Sequence, residues 1–293
     1  MTQSSSNNLI RNLLIFGGVF LVMLIVAGVI IQGLTSASQE QTRQLLLGQS
    51  AIQNIFCFIG TALITSYIIS KKPYKYLGIN TDVDWRPFVG VIIIWLISIP
   101  ALNQLIYYNS IISMPDSLSA LDKWMREMEE LNGAITEILL NTHTVGGLLS
   151  GIALIGVLTG LGEELLFRGV LQKILTNSGF GQWGIWIAAF IFSAVHLQFL
   201  GFFPRLLLGA FFGYLFYTTG SIWPGVFAHS LNNSLVVFIS WINLNYPQYK
   251  IAEDIGASEE GFPITAFLSL IAVILFFVFC YKYFFHGFNQ KGN

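Results

Sequence analysis

Charge is scarce in this sequence. Only 10% of its 293 residues are Asp, Glu, Lys or Arg, against 54% hydrophobic, and the mean hydropathy is +0.68. That balance excludes an ordinary soluble domain, in which about a quarter of residues are charged. The formal net charge is −1, so no basic surface points to nucleic acid and no nucleic-acid partner is expected. Cysteine is nearly absent as well. Cys57 and Cys280 lie far apart, each in an apolar run, and read as buried thiols rather than a disulfide framework or a cysteine metal site. No H-E-x-x-H stretch occurs, which sets aside that zinc-protease signature. The opening MTQSSSNN has no basic n-region, and the apolar run from about Leu9 to Ile31 is too long for a signal-peptide core. That run is expected to be a retained helix. Beyond the short polar start there is no low-complexity stretch, and there is no internal repeat.

What the chain has in quantity is long apolar runs. A bilayer core of ~30 Å needs about 20 such residues per helix. Eight segments qualify: 9–32, 50–70, 87–108, 146–175, 183–200, 203–220, 222–243 and 263–285. The expected fold is all-α, a polytopic membrane helical bundle of about eight transmembrane helices with an additional amphipathic helix. The fifth and sixth segments are short and divided only by LGFFPR, a pattern that also suits a tight helical hairpin that does not fully cross. With eight crossings both termini share one side. Arg11, Lys71, Lys72, Lys75, Arg86, Lys173, Lys282 and Lys291 then face that side, and Arg43, Lys123, Arg126, Arg205 and Lys250 the other. The cluster KKPYK at 71–75 directly follows a helix, where the positive-inside rule counts most, so both termini are expected in the cytoplasm. The composition suits a multi-pass protein of a bacterial plasma membrane.

Segment 116–141 is a helix of another kind. Leu118, Leu121, Met125, Met128, Leu131 and Ile135 recur at helical spacing with Asp and Glu between them. Asp116 or Ser117 suits its N-cap. Such a helix lies on the membrane surface or packs over the bundle, as a plain connection or as a gate over substrate access.

Of fifteen acidic residues, thirteen fall in loops or in this amphipathic segment; the remaining two are Glu163 and Glu164. His143 and His286 lie outside the apolar runs, whereas His196 and His229 lie inside them. Most intramembrane ionisable groups therefore fall between residues 163 and 233. An isolated charge at mid-bilayer costs on the order of 3 kcal/mol on insertion scales, so a cluster of such groups reads as a functional site by default. Glu164 and Arg168 are i and i+4, in the favourable order for an ion pair. Glu163 is turned about 100° away and lacks that partner. Phe192 and His196, like His229 and Asn233, share i, i+4 spacing. Three helices could thus present Glu163, His196, and His229 with Asn233 to one cavity.

Two chemistries suit that set. In the first, Glu163 is a general base that takes a proton from water, Asn233 donates to the oxyanion, and a histidine orients water or protonates the leaving amine. In the second, Glu163, His196 and His229 hold a divalent metal such as zinc, with one open position for water. Spacing does not choose between them. Taken singly, each residue has a structural reading: an ion pair for Glu164 and Arg168, packing for Phe192, a hydrogen-bonded core histidine for His196, interhelical contacts for His229, Asn232 and Asn233. Trp183, Trp186 and Trp223 suit an interfacial belt, and Arg205 after Pro204 a helix end.

The segments EELLFR (163–168), FSAVH (192–196) and HSLNN (229–233) resemble the EExxxR, FxxxH and HxxxN motifs of the CAAX protease and bacteriocin-processing family of intramembrane endopeptidases. All three occur in order on successive apolar segments, and the resemblance covers roughly residues 145 to 242. It divides the chain into N-terminal transmembrane and amphipathic helices (1–144), a CAAX-protease-like catalytic core (145–242), and an outer loop with a C-terminal transmembrane helix (243–293). It implies a conical water-filled cavity and assigns roles by position. Glu163 activates water, His196 helps hold it, His229 and Asn233 form the oxyanion site, and Glu164, Arg168 and Phe192 support them. No cofactor is expected on this reading, and zinc is the alternative. The expected substrate is a membrane protein or peptide, within or at the lipid bilayer. Two other functions remain in view: a non-catalytic scaffold or immunity protein that retains the fold, and a proton-coupled transporter, against which the absence of matched broken halves counts.

Overall fold

The computed structural model describes residues 3–36, 42–249, 251 and 255–280. Lys250, Lys282, His286 and Lys291, the side chain of Cys280 and the end of the segment 263–285 lie outside the described residues. Among the described residues every regular element is a helix. In chain order the main ones are α1 (Gln3–Ser36), α2 (Arg43–Ile69), α3 (Arg86–Ser110), α4 (Ser119–Leu140), α5 (Val145–Phe180), α6 (Trp183–Ala194), α7 (Phe202–Thr219), α8 (Trp223–Asn245) and α9 (Ile264–Cys280). Helices α1, α2, α3, α5, α7 and α8 are long and apolar enough to cross a membrane; α6 and α9 are shorter apolar helices.

The apolar run at 183–200 is therefore not one full span. Helix α6 has 12 residues, about 18 Å at the α-helical rise, well short of a ~30 Å core. The chain leaves the helix at Val195 and His196, and Leu197 then takes φ +54, a backbone conformation that helices of L residues cannot use. It returns along α7, so α6 and α7 form the tight hairpin. Pro204 sits in the first turn of α7, where its missing N–H breaks no helical bond. Gly220, at φ +66, closes that helix in the left-handed conformation favoured at C-termini.

Small residues let the helices around the site approach closely. Gly156 and Gly160 of α5 face Ser234 and Ser230 of α8. A Cβ on Gly160 would lie 2.6 Å from Ser230 Oγ, and one on Gly156 would run into Ser234. This pairing of small residues at i, i+4 is a membrane-helix packing device. On the other flank of α5, Gly209 and Gly213 of α7 expose backbone to polar side chains. Arg168 Nη2 donates to Gly209 O at 3.0 Å and Gln172 Nε2 to Gly213 O at 2.9 Å. Helix α5 is itself irregular, with π-helical stretches at Ile152–Leu158, Leu165–Gln172 and Thr176–Phe180. Wider turns of this kind are frequent at functional sites, and the turn carrying Glu163 and Glu164 lies between the first two.

A break in α3 fixes α9. Pro100 removes a helical donor. Across the break the Ser269 hydroxyl of α9 donates to Ile97 O at 2.5 Å and accepts from Ala101 N at 3.2 Å. At one end of the bundle Lys173 Nζ reaches Tyr76 O (2.5 Å), and Ile222 N and Trp223 Nε1 reach Gly78 O and Ile79 O. The KKPYK stretch thus gathers with the ends of α5 and α7. Near the start of α2, Arg43 donates to Leu139 O at 2.8 Å and Gly147 O at 2.7 Å, tying together α2, α4 and α5.

Helix α4 carries the expected amphipathic segment, but Asp116 and Ser117 do not cap it. They form a single 3₁₀ turn, Asp116–Leu118, and neither that turn nor α4 has a side-chain cap. Asp122, one turn inside, takes the local donors instead: Met114 N at 3.0 Å and Arg126 Nε at 2.8 Å. Arg126, followed by the Met114 amide, holds the Asp122 carboxyl below the usual carboxylate range. Met125, Met128, Glu129 and Asn132 are half-buried, while Trp124, Leu131 and Ile135 on a neighbouring flank are exposed.

Candidate active site

Two adjacent glutamates on α5 have opposite surroundings. Glu164 is fully buried and satisfied on one oxygen. Its Oε1 lies 2.7 Å from Arg168 Nη1 and accepts from His229 Nδ1 at 2.9 Å. The guanidinium of Arg168, also buried, sits 4.5 Å from the Phe192 ring centroid and 5.4 Å from that of Phe212, two favourable cation–π placements. Gly225 on α8 leaves room for the other carboxylate oxygen, since a Cβ there would meet Glu164 Oε2 at 2.9 Å.

Glu163 is 7% exposed, and its Oε2 has no hydrogen-bond partner. That oxygen faces two imidazoles: His229 Nε2 at 3.5 Å and His196 Nε2 at 4.0 Å. The remaining ring nitrogens fix both tautomers. His196 Nδ1 lies 2.7 Å from Phe192 O, and a carbonyl only accepts, so Nδ1 carries a hydrogen. His229 Nδ1 carries one for the same reason, opposite the Glu164 carboxylate. In the neutral rings both Nε2 lone pairs therefore point at Glu163. Phe212 stacks on His229 (5.0 Å between centroids, 23°), and Phe192 meets both His196 and His229 edge-on.

The depth of His196 follows from the fold. Glu163 lies near the middle of α5, and the short α6 runs back beside it, so the turn after Ala194 delivers His196 to the same level. Asn233 lies one turn beyond His229 on α8. It donates its amide to Ile155 O at 3.3 Å, and its Oδ1 accepts from Asn232 at 3.3 Å. The seven singled-out residues thus occupy α5, α8 and the α6 end: Glu163, Glu164, Arg168, Phe192, His196 and His229 form one contact network, whereas the hydrogen bonds of Asn233 go to Ile155 and Asn232. Among the described residues no three or more His, Cys, Asp and Glu side chains form a metal-ligand group.

Sequence spacing pairs Glu164 with Arg168 alone. The bond from His229 Nδ1 to the same carboxylate is a tertiary contact between α5 and α8. Its only sequence signal is the matched small residues GVLTG (156–160) and SLNNS (230–234). Phe212, stacked on His229, has no signal beyond its apolarity.

Residues 145–235 match the family model described as type II CAAX prenyl endopeptidase Rce1-like. Over that segment the chain is similar to the CAAX protease family. All three motifs, at 163–168, 192–196 and 229–233, fall inside the match. No curated protein and no solved structure matches the chain. The matched segment contains every residue of the cluster, all of α5 and the first half of α8, the two helices that bring the glutamates to His229.

Proposed function

We propose that this chain is a CAAX-protease-like intramembrane endopeptidase in which Glu163 activates water against a peptide bond of a membrane-associated protein or peptide. One observation carries the reading: the convergence of two histidine Nε2 atoms on the unpartnered Oε2 of Glu163. Among the described residues six helices are long enough to span, which supports an integral, multi-pass membrane protein. The KKPYK end, with both termini, is assigned to the cytoplasmic face of a bacterial plasma membrane by the positive-inside rule.

The chemistry follows from the tautomers. A water between His196 and Glu163 gives one hydrogen bond to Oε2 and the other to the His196 Nε2 lone pair. Glu163 takes the first proton as the water oxygen bonds to the scissile carbonyl carbon. Negative charge moves onto the carbonyl oxygen. His229, protonated at Nε2 and held by Glu164 at Nδ1, donates to that oxygen, as does the second amide hydrogen of Asn233. Each such donor contributes about 3–4 kcal/mol at the transition state. Collapse breaks the C–N bond, and the proton on Glu163 passes to the leaving amine. Arg168 balances the charge of Glu164, which keeps the histidine in this orientation. A divalent cation held by Glu163, His196 and His229 is the other way to activate the same water.

The test uses purified protein in proteoliposomes with a farnesylated CAAX-type peptide and a matched peptide without the prenyl group. Glu163→Gln is expected to lower kcat by about 10²–10⁴-fold, with wild-type turnover unchanged by chelator. Loss in both arms indicates the metal route. Cleavage that survives Glu163→Gln removes Glu163 as the base. No cleavage of either peptide by any form favours the scaffold reading.

A further inference from the structure

His196 is the one member of the cluster that is not on a helix. It sits in the turn between α6 and α7, next to Leu197, which among the described residues is the only non-glycine with positive φ. A conformation of that kind persists only where the surroundings over-determine it. The loop does little of this itself, because Val195 and Leu197 are exposed. Its restraints come from other helices.

Asn109 of α3, 4% exposed, brackets the loop by donating to Phe199 O at 3.1 Å and accepting from Phe203 N at 2.8 Å. Arg205 of α7 grips Gln198 through O (3.1 Å) and Oε1 (2.8 Å). Glu129 of α4 accepts from Leu200 N at 3.3 Å, and Trp124 of α4 packs on Phe199 with 5.2 Å between centroids. Helix α4 is itself held by Arg126 to Ile112 O and, near its C-terminal end, by Arg43 to Leu139 O. Inside this frame the only polar side chain that the turn sends to Glu163 is His196.

We propose that Glu129 of α4, together with Asn109 of α3, is a positioning residue for the reaction: by holding the 197–203 backbone it sets where His196 Nε2 meets the water at Glu163. The amphipathic helix is then a working part of the site and not a plain connection. This rests on the reading of Glu163 and His196 as the hydrolytic pair.

The experiment takes full-length protein in proteoliposomes and compares wild type, Glu129→Ala and Glu129→Gln. Three readouts are made: amide exchange over 195–203, carbethoxylation of His196 by diethyl pyrocarbonate located by mass spectrometry, and kcat and KM on the farnesylated peptide. Losing one net hydrogen bond predicts about fivefold faster exchange and His196 modification in Glu129→Ala. It also predicts a fall in kcat of similar size with KM unchanged. Glu129→Gln keeps an oxygen that accepts from Leu200 N and is expected to restore all three. Unchanged exchange and His196 reactivity in Glu129→Ala overturn the proposal, as does unchanged kcat in an active preparation, or a Glu129→Gln protein as impaired as the alanine variant. If Glu129→Ala does not fold, Trp124→Leu, which removes only the ring contact to Phe199, carries the same readouts. Exchange and carbethoxylation need no turnover. If Glu163→Gln still cleaves, the hydrolytic reading falls while these two measurements still decide whether Glu129 fixes the loop.

Discussion

Replacing Arg168 by Met separates the roles of the two adjacent glutamates. Methionine fills much of the same space between Phe192 and Phe212 but carries no charge. Glu164 would then be a buried carboxylate, 0% exposed, with His229 Nδ1 as its remaining close partner. Removing one member of a buried ion pair costs about 3–5 kcal/mol, because the other is left uncompensated. At ~2–4 °C per kcal/mol for a large domain, that lowers Tm by on the order of 10 °C. Adding Glu164→Gln removes the stranded charge. The double variant should therefore recover about 1–3 kcal/mol relative to Arg168→Met alone, which is the coupling expected for residues in direct contact. Glu163→Gln should behave oppositely. Its Oε2 has no hydrogen bond to lose, so stability should hold or rise while cleavage disappears. Thermal unfolding of the detergent-solubilised protein, followed by fluorescence and circular dichroism, reads all four variants. Equal destabilisation by Glu163→Gln and Glu164→Gln would refute the reasoning, and so would a double variant no more stable than Arg168→Met.

Two further changes test the packing. Gly213→Ala places a Cβ 2.6 Å from both Gln172 Oε1 and Ile185 Cγ2 and should cost about 1–3 kcal/mol by overpacking, whereas Gly48→Ala, with nothing within 4 Å, should be neutral or stabilising by about 0.5–1 kcal/mol; unfolding curves of the pair check this. Ser269→Ala removes both bonds across the α3 break and should cost about 1–3 kcal/mol, with faster amide exchange at Ala101 as the local signature.

The parts of this molecule legible in the sequence are those set by one-dimensional rules. Apolar length gives the spans, and i, i+4 spacing gives the Glu164–Arg168 pair, because both are properties of a single helix. The cost of charge in a bilayer also concentrates the ionisable groups, so the stretch from 163 to 233 stands out before any fold is known. Hydropathy, by contrast, does not register backbone conformation. The short apolar segments divided by LGFFPR suggest a hairpin, but the run 183–200 stays apolar through Val195 and Leu197, so nothing in it marks the residue at which the helix ends and His196 is delivered. The π-helical turns of α5 leave no compositional trace either. Glu129 reads as one acid among several on a solvated face, because its partner is a backbone amide 71 residues away. The His229–Glu164 bond depends on how closely α5 and α8 approach, which the glycines at 156 and 160 permit without announcing the result.

On the proposed hydrolytic reading, the proton count of the cluster gives its two glutamates different tasks. Glu164 and Arg168 cancel each other, which leaves Glu163 and two imidazoles whose Nδ1 hydrogens point away from it. Two nitrogen lone pairs within 4.0 Å of one carboxylate oxygen repel unless a proton, a water or a cation lies among them. With a proton as the occupant, one makes the trio neutral, the least costly state in apolar surroundings. That proton can sit on Glu163 or on either Nε2. Hydrolysis asks for this freedom. On the proposed reading, Glu163 would start ionised with the proton on His229, and as it accepted the proton of water the new negative charge would appear on the carbonyl oxygen facing His229. Handing its proton to the amine returns Glu163 to its starting state. On that reading the positive charge gained by the trio when Glu163 takes its proton would be offset by the oxyanion beside His229, and the second glutamate would hold the His229 tautomer without itself taking a proton.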